Sequence, residues 1–127
     1  MPVATAYVRE QPVVYADETG WQQRRARAWL WVAATPLVTV FRVHRRRSGE
    51  AARALLGALQ GILVSDRWSS YLQWSLSKRQ LCWAHLKRDF HFISERDDVG
   101  WIGEELLHFT QELFSLWHRV RDGTLRP

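Results

Sequence analysis

Two apolar runs divided by a single turn signal constrain this chain most. Every residue from Trp29 to Ala34 is apolar, and Leu37 to Val43 is nearly so, with Thr35-Pro36 breaking between them. Such runs read as strands apolar on both faces, which belong inside a sheet covered on both sides. A third strand precedes them: Val13-Val14-Tyr15-Ala16 follows Pro12 and ends at Asp17. The polar stretch from Gly20 to Arg27 then reads as a loop or the tip of a hairpin.

After the strands the period changes. Ser48 can cap a helix running from Gly49 to about Gln60, with Ala52, Leu55, Leu56 and Leu59 on its buried face and Gly61 at its end. Ile62, Leu63 and Val64 make another short buried strand that stops at Ser65-Asp66, and Gln80 to Trp83 reads as one more. Trp83, Leu86, Phe90 and Ile93 keep helical spacing. A last helix from about Trp101 to Arg121 is expected to bury Ile102, Leu106, Phe109, Leu113, Leu116, Trp117 and Val120. The order of elements predicts an α/β fold with a mixed sheet: a three-stranded meander, a crossover helix, then a parallel strand, flanked by helices.

At 127 residues and 46% apolar content, the chain is expected to form one domain over 1–127. A 13% aromatic content excludes a disordered chain. No apolar run approaches the ~18 residues that span a bilayer, and residues 1–12 lack the apolar centre of a secretory signal. One cysteine, Cys82, cannot form an internal disulfide, which fits a reducing cytoplasm. The net charge of +5 is lodged wholly in residues 1–60, which hold nine basic and four acidic side chains. Sixteen of the 18 cations are arginine, concentrated in Arg24, Arg25 and Arg27 and in Arg45, Arg46 and Arg47. Guanidinium groups suit bidentate contact with phosphate, so the two clusters point to DNA binding.

Two carboxylates share a context. Asp17 and Asp66 each follow a short apolar strand and lead into a polar, tryptophan-containing stretch. Either one alone reads equally as a turn former or helix cap. If their strands are parallel neighbours, the carboxylates converge at the strand ends, where open α/β sheets place ligands. Converging carboxylates stay ionised only around a cation. Oxygen-only ligands suit magnesium or manganese, two of which can drive phosphodiester chemistry. Cys82 and His85 have half the spacing of a zinc site but no second pair follows; Cys82 is expected to be a buried thiol in a short strand. Of the eight tryptophans, Trp29, Trp31, Trp83 and Trp117 fall on core-facing stripes.

The segments Tyr15-Ala16-Asp17-Glu18-Thr19-Gly20-Trp21, Trp29-Leu30-Trp31-Val32-Ala33, Leu63 to Tyr71 with Asp66 inside it, and Gln80 to Phe90 containing Cys82-Trp83-Ala84-His85 occur in order over about 13–95. This set resembles the transposases of the insertion sequence 66 family. The resemblance implies a DDE recombinase with a ribonuclease-H-like fold, in which three acidic residues hold two magnesium or manganese ions for DNA strand cleavage and transfer. It puts the first acid at Asp17 and the second at Asp66, and implies as partners the DNA of mobile-element ends and targets, with full-length transposase or accessory element proteins besides. It also implies a cytoplasmic, nucleoid-associated setting. In that family the third acid is a Glu in a motif like Asn-Ala-Ala-Glu-Arg-Ala-Leu-Arg, and no such motif occurs here. The expectation is a central, truncated piece of a transposase, inactive by itself unless Asp89, Glu95, Glu104, Glu105 or Glu112 stands in. The alternative is a non-catalytic DNA-binding remnant acting through its arginine clusters.

Overall fold

In the computed structural model, residues 2–126 are described. They divide into two compact units, Met1–Cys82 and Trp83–Pro127. The first holds a five-stranded mixed sheet with strand order β3-β2-β1-β4-β5. Its elements are α1 (Val3–Glu10), β1 (Val13–Gln23), β2 (Ala26–Ala34), β3 (Thr39–His44), α2 (Gly49–Leu56), β4 (Ile62–Ser65) and β5 (Arg79–Leu81). Strands β1, β2 and β3 form the antiparallel meander, and β4 returns beside β1 in parallel, as the sequence predicts. Strand β5 adds a second parallel pair.

One face of this sheet makes the core. Val14, Ala16, Trp31, Ala33 and Leu63 pack against Val8 of α1, Ala51, Ala52, Leu55 and Leu56 of α2, and Tyr71. The expected coverage of both faces is not found: on the face opposite the core, Tyr15 of the central strand is 53% exposed and Phe41 of β3 65%. Successive strand residues alternate between faces, and the helices α1 and α2 pack against one of them.

Helix α2 begins where expected. The Ser48 side chain accepts a hydrogen bond from the Ala51 N–H at 3.2 Å, satisfying one of the amides left unpaired at a helix start. It ends earlier than the apolar spacing suggests, at Gly57 instead of Gly61, because Gly57 takes a φ of +54° and ψ of −142°. The stop is reinforced from α1, an element with no clear periodic signal. Arg9 donates from Nη2 to the carbonyls of Ala54 and Leu55, both at 3.1 Å. These are C-terminal carbonyls that the helix itself leaves unsatisfied.

In the second unit, α3 (Trp83–Ser94) and α4 (Gly100–Arg121) pack as a pair. The seam differs from the expected one. Gly103 and Thr110 are the buried residues of α4, while Phe109, Leu113, Leu116 and Trp117 are 45–56% exposed. Small residues let two helix backbones approach closely: a Cβ added to Gly103 would lie 2.3 Å from the Ser94 amide nitrogen. The large apolar residues sit beside that close approach, not within it. Trp83 still packs edge-on against Phe114, with centroids 5.7 Å apart.

Gly57→Ala would force a side chain into a backbone conformation that L-residues rarely adopt, with its Cβ 2.6 Å from the Arg9 guanidinium carbon. A loss of roughly 1–3 kcal/mol is expected, read as a lower urea midpoint with unchanged slope.

Candidate functional site

Parallel pairing of β1 and β4 sets the site. The register pairs Val13 with Ile62, Val14 with Leu63 and Tyr15 with Val64. Two residues further along both strands stand Asp17 and Asp66. A carboxylate oxygen of each lies within 4.8 Å of the other. The two acids singled out in the sequence are thus brought together, though not quite as expected. Asp17 does not terminate its strand: β1 runs on to Gln23, paired to β2 as far as Gln23 with Ala26. It is β4 that stops here, after Ser65.

Each carboxylate is oriented by a backbone amide. The Glu18 N–H donates to Asp17 Oδ1 and the Trp68 N–H to Asp66 Oδ1, both at 2.9 Å. Asp17 is exposed and Asp66 half-buried. Two like charges this close repel, and a cation between them relieves that repulsion. A donor set of carboxylate oxygens fits a hard divalent ion such as magnesium or manganese.

The arginine clusters separate. Arg24 and Arg25 form the two-residue turn between β1 and β2, and Arg27 follows in β2. With Arg45 they line one open depression. Arg24 is the non-glycine residue with positive φ, 56°, among those described, a turn position that favours Gly or Asn. Arg46 is exposed as well. Arg47 turns inward instead. Its Nε and Nη2 donate to Glu18 Oε1 at 3.0 and 2.9 Å. Its guanidinium lies 3.8 Å from the Trp68 ring centroid and 5.0 Å from that of Trp29.

Glu18 is the residue that the sequence reading passed over. With β1 ended at Asp17 it looked like loop; in the full strand it alternates onto the core face with Val14 and Ala16. Its side chain is fully buried, and the Tyr71 hydroxyl donates to its Oε2. Burial raises the Glu18 carboxyl above its ordinary value. Hydrogen bonds from Tyr71 and Arg47 oppose the rise, and the negative charge of Asp66 adds to it. The Tyr71 hydroxyl is raised too, by burial first and then by its bond to Glu18.

Elsewhere, Cys82 lies just after β5 and is half-buried, and His85 stands in the first turn of α3. Asp89, Glu95, Glu104, Glu105 and Glu112 all belong to the second unit, where the four glutamates are exposed. Glu112 pairs with His108 at 3.3 Å. Trp117, expected in the core, is 52% exposed, whereas Trp31 is 1% exposed.

The sequence model of the Transposase IS66 family matches residues 1–125. The chain belongs to this family. No curated protein and no solved structure matches it. Membership in the IS66 family supports a transposase role, implies interaction with DNA, and agrees with divalent-metal use at an acidic pair. Among the described residues no helix is long and apolar enough to cross a membrane.

A carboxyl whose folded-state pKa is raised binds its proton more tightly folded than unfolded. Its stabilising contribution is complete below the ordinary value of 4.5 and is lost as pH rises through the folded value. Wild type is therefore expected to gain stability relative to Glu18→Gln as pH is lowered from neutrality toward 4.5. Paired urea titrations across that range check it, and a flat difference would contradict it.

Proposed function

We infer that this chain is the acid-bearing part of a transposase core that breaks and joins DNA phosphodiester bonds, with Asp17 and Asp66 as the metal-holding carboxylates. The observation that carries this reading is their approach to within 4.8 Å at the end of the β1–β4 parallel pair. A meander, a crossover and two parallel strands are compatible with a ribonuclease-H-like fold, and the family match spans both units, which supports one core domain.

Asp17 and Asp66 hold the cations, each aimed by the amide that donates to it. Divalent ions bound there supply activation of a water or 3′-hydroxyl and neutralise the charge that develops on the leaving oxygen. Arg24, Arg25, Arg27, Arg45 and Arg46 contact phosphates and fix the duplex without reading bases. Arg47 orients Glu18 and Trp68 from within. Because the sequence lacks the Asn-Ala-Ala-Glu motif, these residues provide two of three acids. The 127-residue chain is then expected to bind a divalent ion and DNA but not to turn over.

A manganese-dependent nicking assay on element-end DNA tests this. No product above background is expected; robust nicking abolished by Asp17→Ala would place a third acid within these residues and refute the predicted inactivity.

The second reading is a non-catalytic DNA-binding module, favoured by the arginine-lined depression beside the hairpin tip. Both readings predict binding that weakens with salt. Changing Arg24, Arg25 and Arg45 together to Ala should reduce the log–log salt slope by about three, roughly one per phosphate contact. Asp66→Ala should leave that slope unchanged if binding alone is the function.

A further inference from the structure

Asp17 and Glu18 are consecutive, and strand alternation sends them to opposite faces: Asp17 to solvent, Glu18 into the core. A buried carboxylate needs partners. Glu18 takes them from the segments that follow β3 and β4. Arg47 donates twice to Oε1, and the Tyr71 hydroxyl donates to Oε2.

Both partners lead to Asp66. The Arg47 guanidinium lies against the Trp68 ring, and the Trp68 N–H donates to Asp66 Oδ1 at 2.9 Å. The Tyr71 N–H donates to the Trp68 carbonyl at 3.0 Å, while its ring meets Trp31 edge-on. Trp31 is the cross-strand neighbour of Glu18 on β2. At the other end, the N–H of Glu18 itself donates to Asp17 Oδ1. One residue thus reaches both acids, by its backbone to Asp17 and by its side chain to the turn that aims Asp66.

We propose that Glu18 is a positioning residue for the acidic pair: through Tyr71 and the Arg47–Trp68 stack it fixes the 66–71 turn, so that Asp17 and Asp66 keep the spacing a divalent cation needs. The proposal rests on the metal-centre reading above. Mutual repulsion pushes the two carboxylates apart before a cation arrives. Asp17 resists because it stands within a long strand. Asp66 has only a four-residue strand behind it and a short 3-10 turn, Ser69–Tyr71, ahead. Anchors beyond the strand are needed to hold it. An ion pair with one partner buried contributes little net stability compared with apolar packing of the same volume. What this one supplies is geometry.

The test uses the full 127-residue chain in four forms: wild type, Tyr71→Phe, Glu18→Gln and Asp17→Asn. Manganese affinity is measured by titration calorimetry, and hydrogen exchange of the Trp68 amide is followed in the metal-free chain. Tyr71→Phe removes one hydroxyl and keeps the ring against Trp31, so the core survives even if Glu18→Gln fails to fold. In both variants the dissociation constant for manganese is expected to rise about 10-fold, the lower end of the effect of losing a partner that touches a ligand directly. Protection of the Trp68 amide should fall with it. Tyr71→Phe within about twofold of wild type in either measurement overturns the proposal, since the network then serves the core alone. In that case manganese binding that is lost in Asp17→Asn leaves the metal centre standing. A wild type that takes up no manganese, or an Asp17→Asn that binds it unchanged, overturns the metal-centre reading and the proposal together.

Discussion

A carboxylate cannot be left alone in a protein core, and the way Glu18 is satisfied organises much of the first unit. Its two oxygens draw in Arg47 from the β3–α2 connection and Tyr71 from the turn after β4. Neither connection is held by a strand ladder along its length, so these contacts add long-range ties to the local turns. Trp29 and Trp68 flank the guanidinium, and Trp31 meets the Tyr71 ring edge-on. A polar knot wrapped in aromatic rings thus sits directly behind the surface where the two aspartates meet. The desolvation that raises the Glu18 pKa is the cost of placing it there.

The division of labour between the arginines follows from the same geometry. A run such as Arg45-Arg46-Arg47 reads in sequence as one cationic patch, but backbone direction splits it. Arg45 and Arg46 stay outside, and Arg47 is spent on an internal acid. The outward charge that remains is grouped with the β1–β2 turn, and Arg24 keeps its place there despite a backbone angle better suited to glycine.

Much of this was legible from residue pattern. The apolar runs gave the meander, Ser48 gave the start of α2, and the shared context of Asp17 and Asp66 anticipated their meeting. What escaped notice depended on partners distant in sequence. Strand β1 continues past Asp17 through polar residues because β2 supplies a ladder for them, which no local signal at Thr19 or Gln22 announces. Once the strand is shortened, Glu18 cannot be recognised as inward-facing, and nothing signals why Arg47 turns inward or why Tyr71 is buried. Helix α4 misled in the opposite way. Its large apolar residues follow a clear stripe, yet the position that touches α3 is decided by Gly103 and Thr110, where the backbones can come close. Helix α1 left no clear signal because in eight residues it buries one side chain, Val8, and sends Arg9 to the end of α2.

The length of β1 has a consequence of scale. Its parallel pairing with β4 covers Val13 to Tyr15, while its pairing with β2 continues to Gln23. Beyond Gly20, where β2 leaves β3, the hairpin is two-stranded and continuous with the strand that carries Asp17. Seven residues separate Asp17 from Arg24, which at ~3.3 Å per residue is roughly 23 Å of strand. The tip with Arg24 and Arg25 therefore stands away from Asp17 by a distance that the strand itself sets, and lengthening or shortening the hairpin would change that distance in steps of one residue pair.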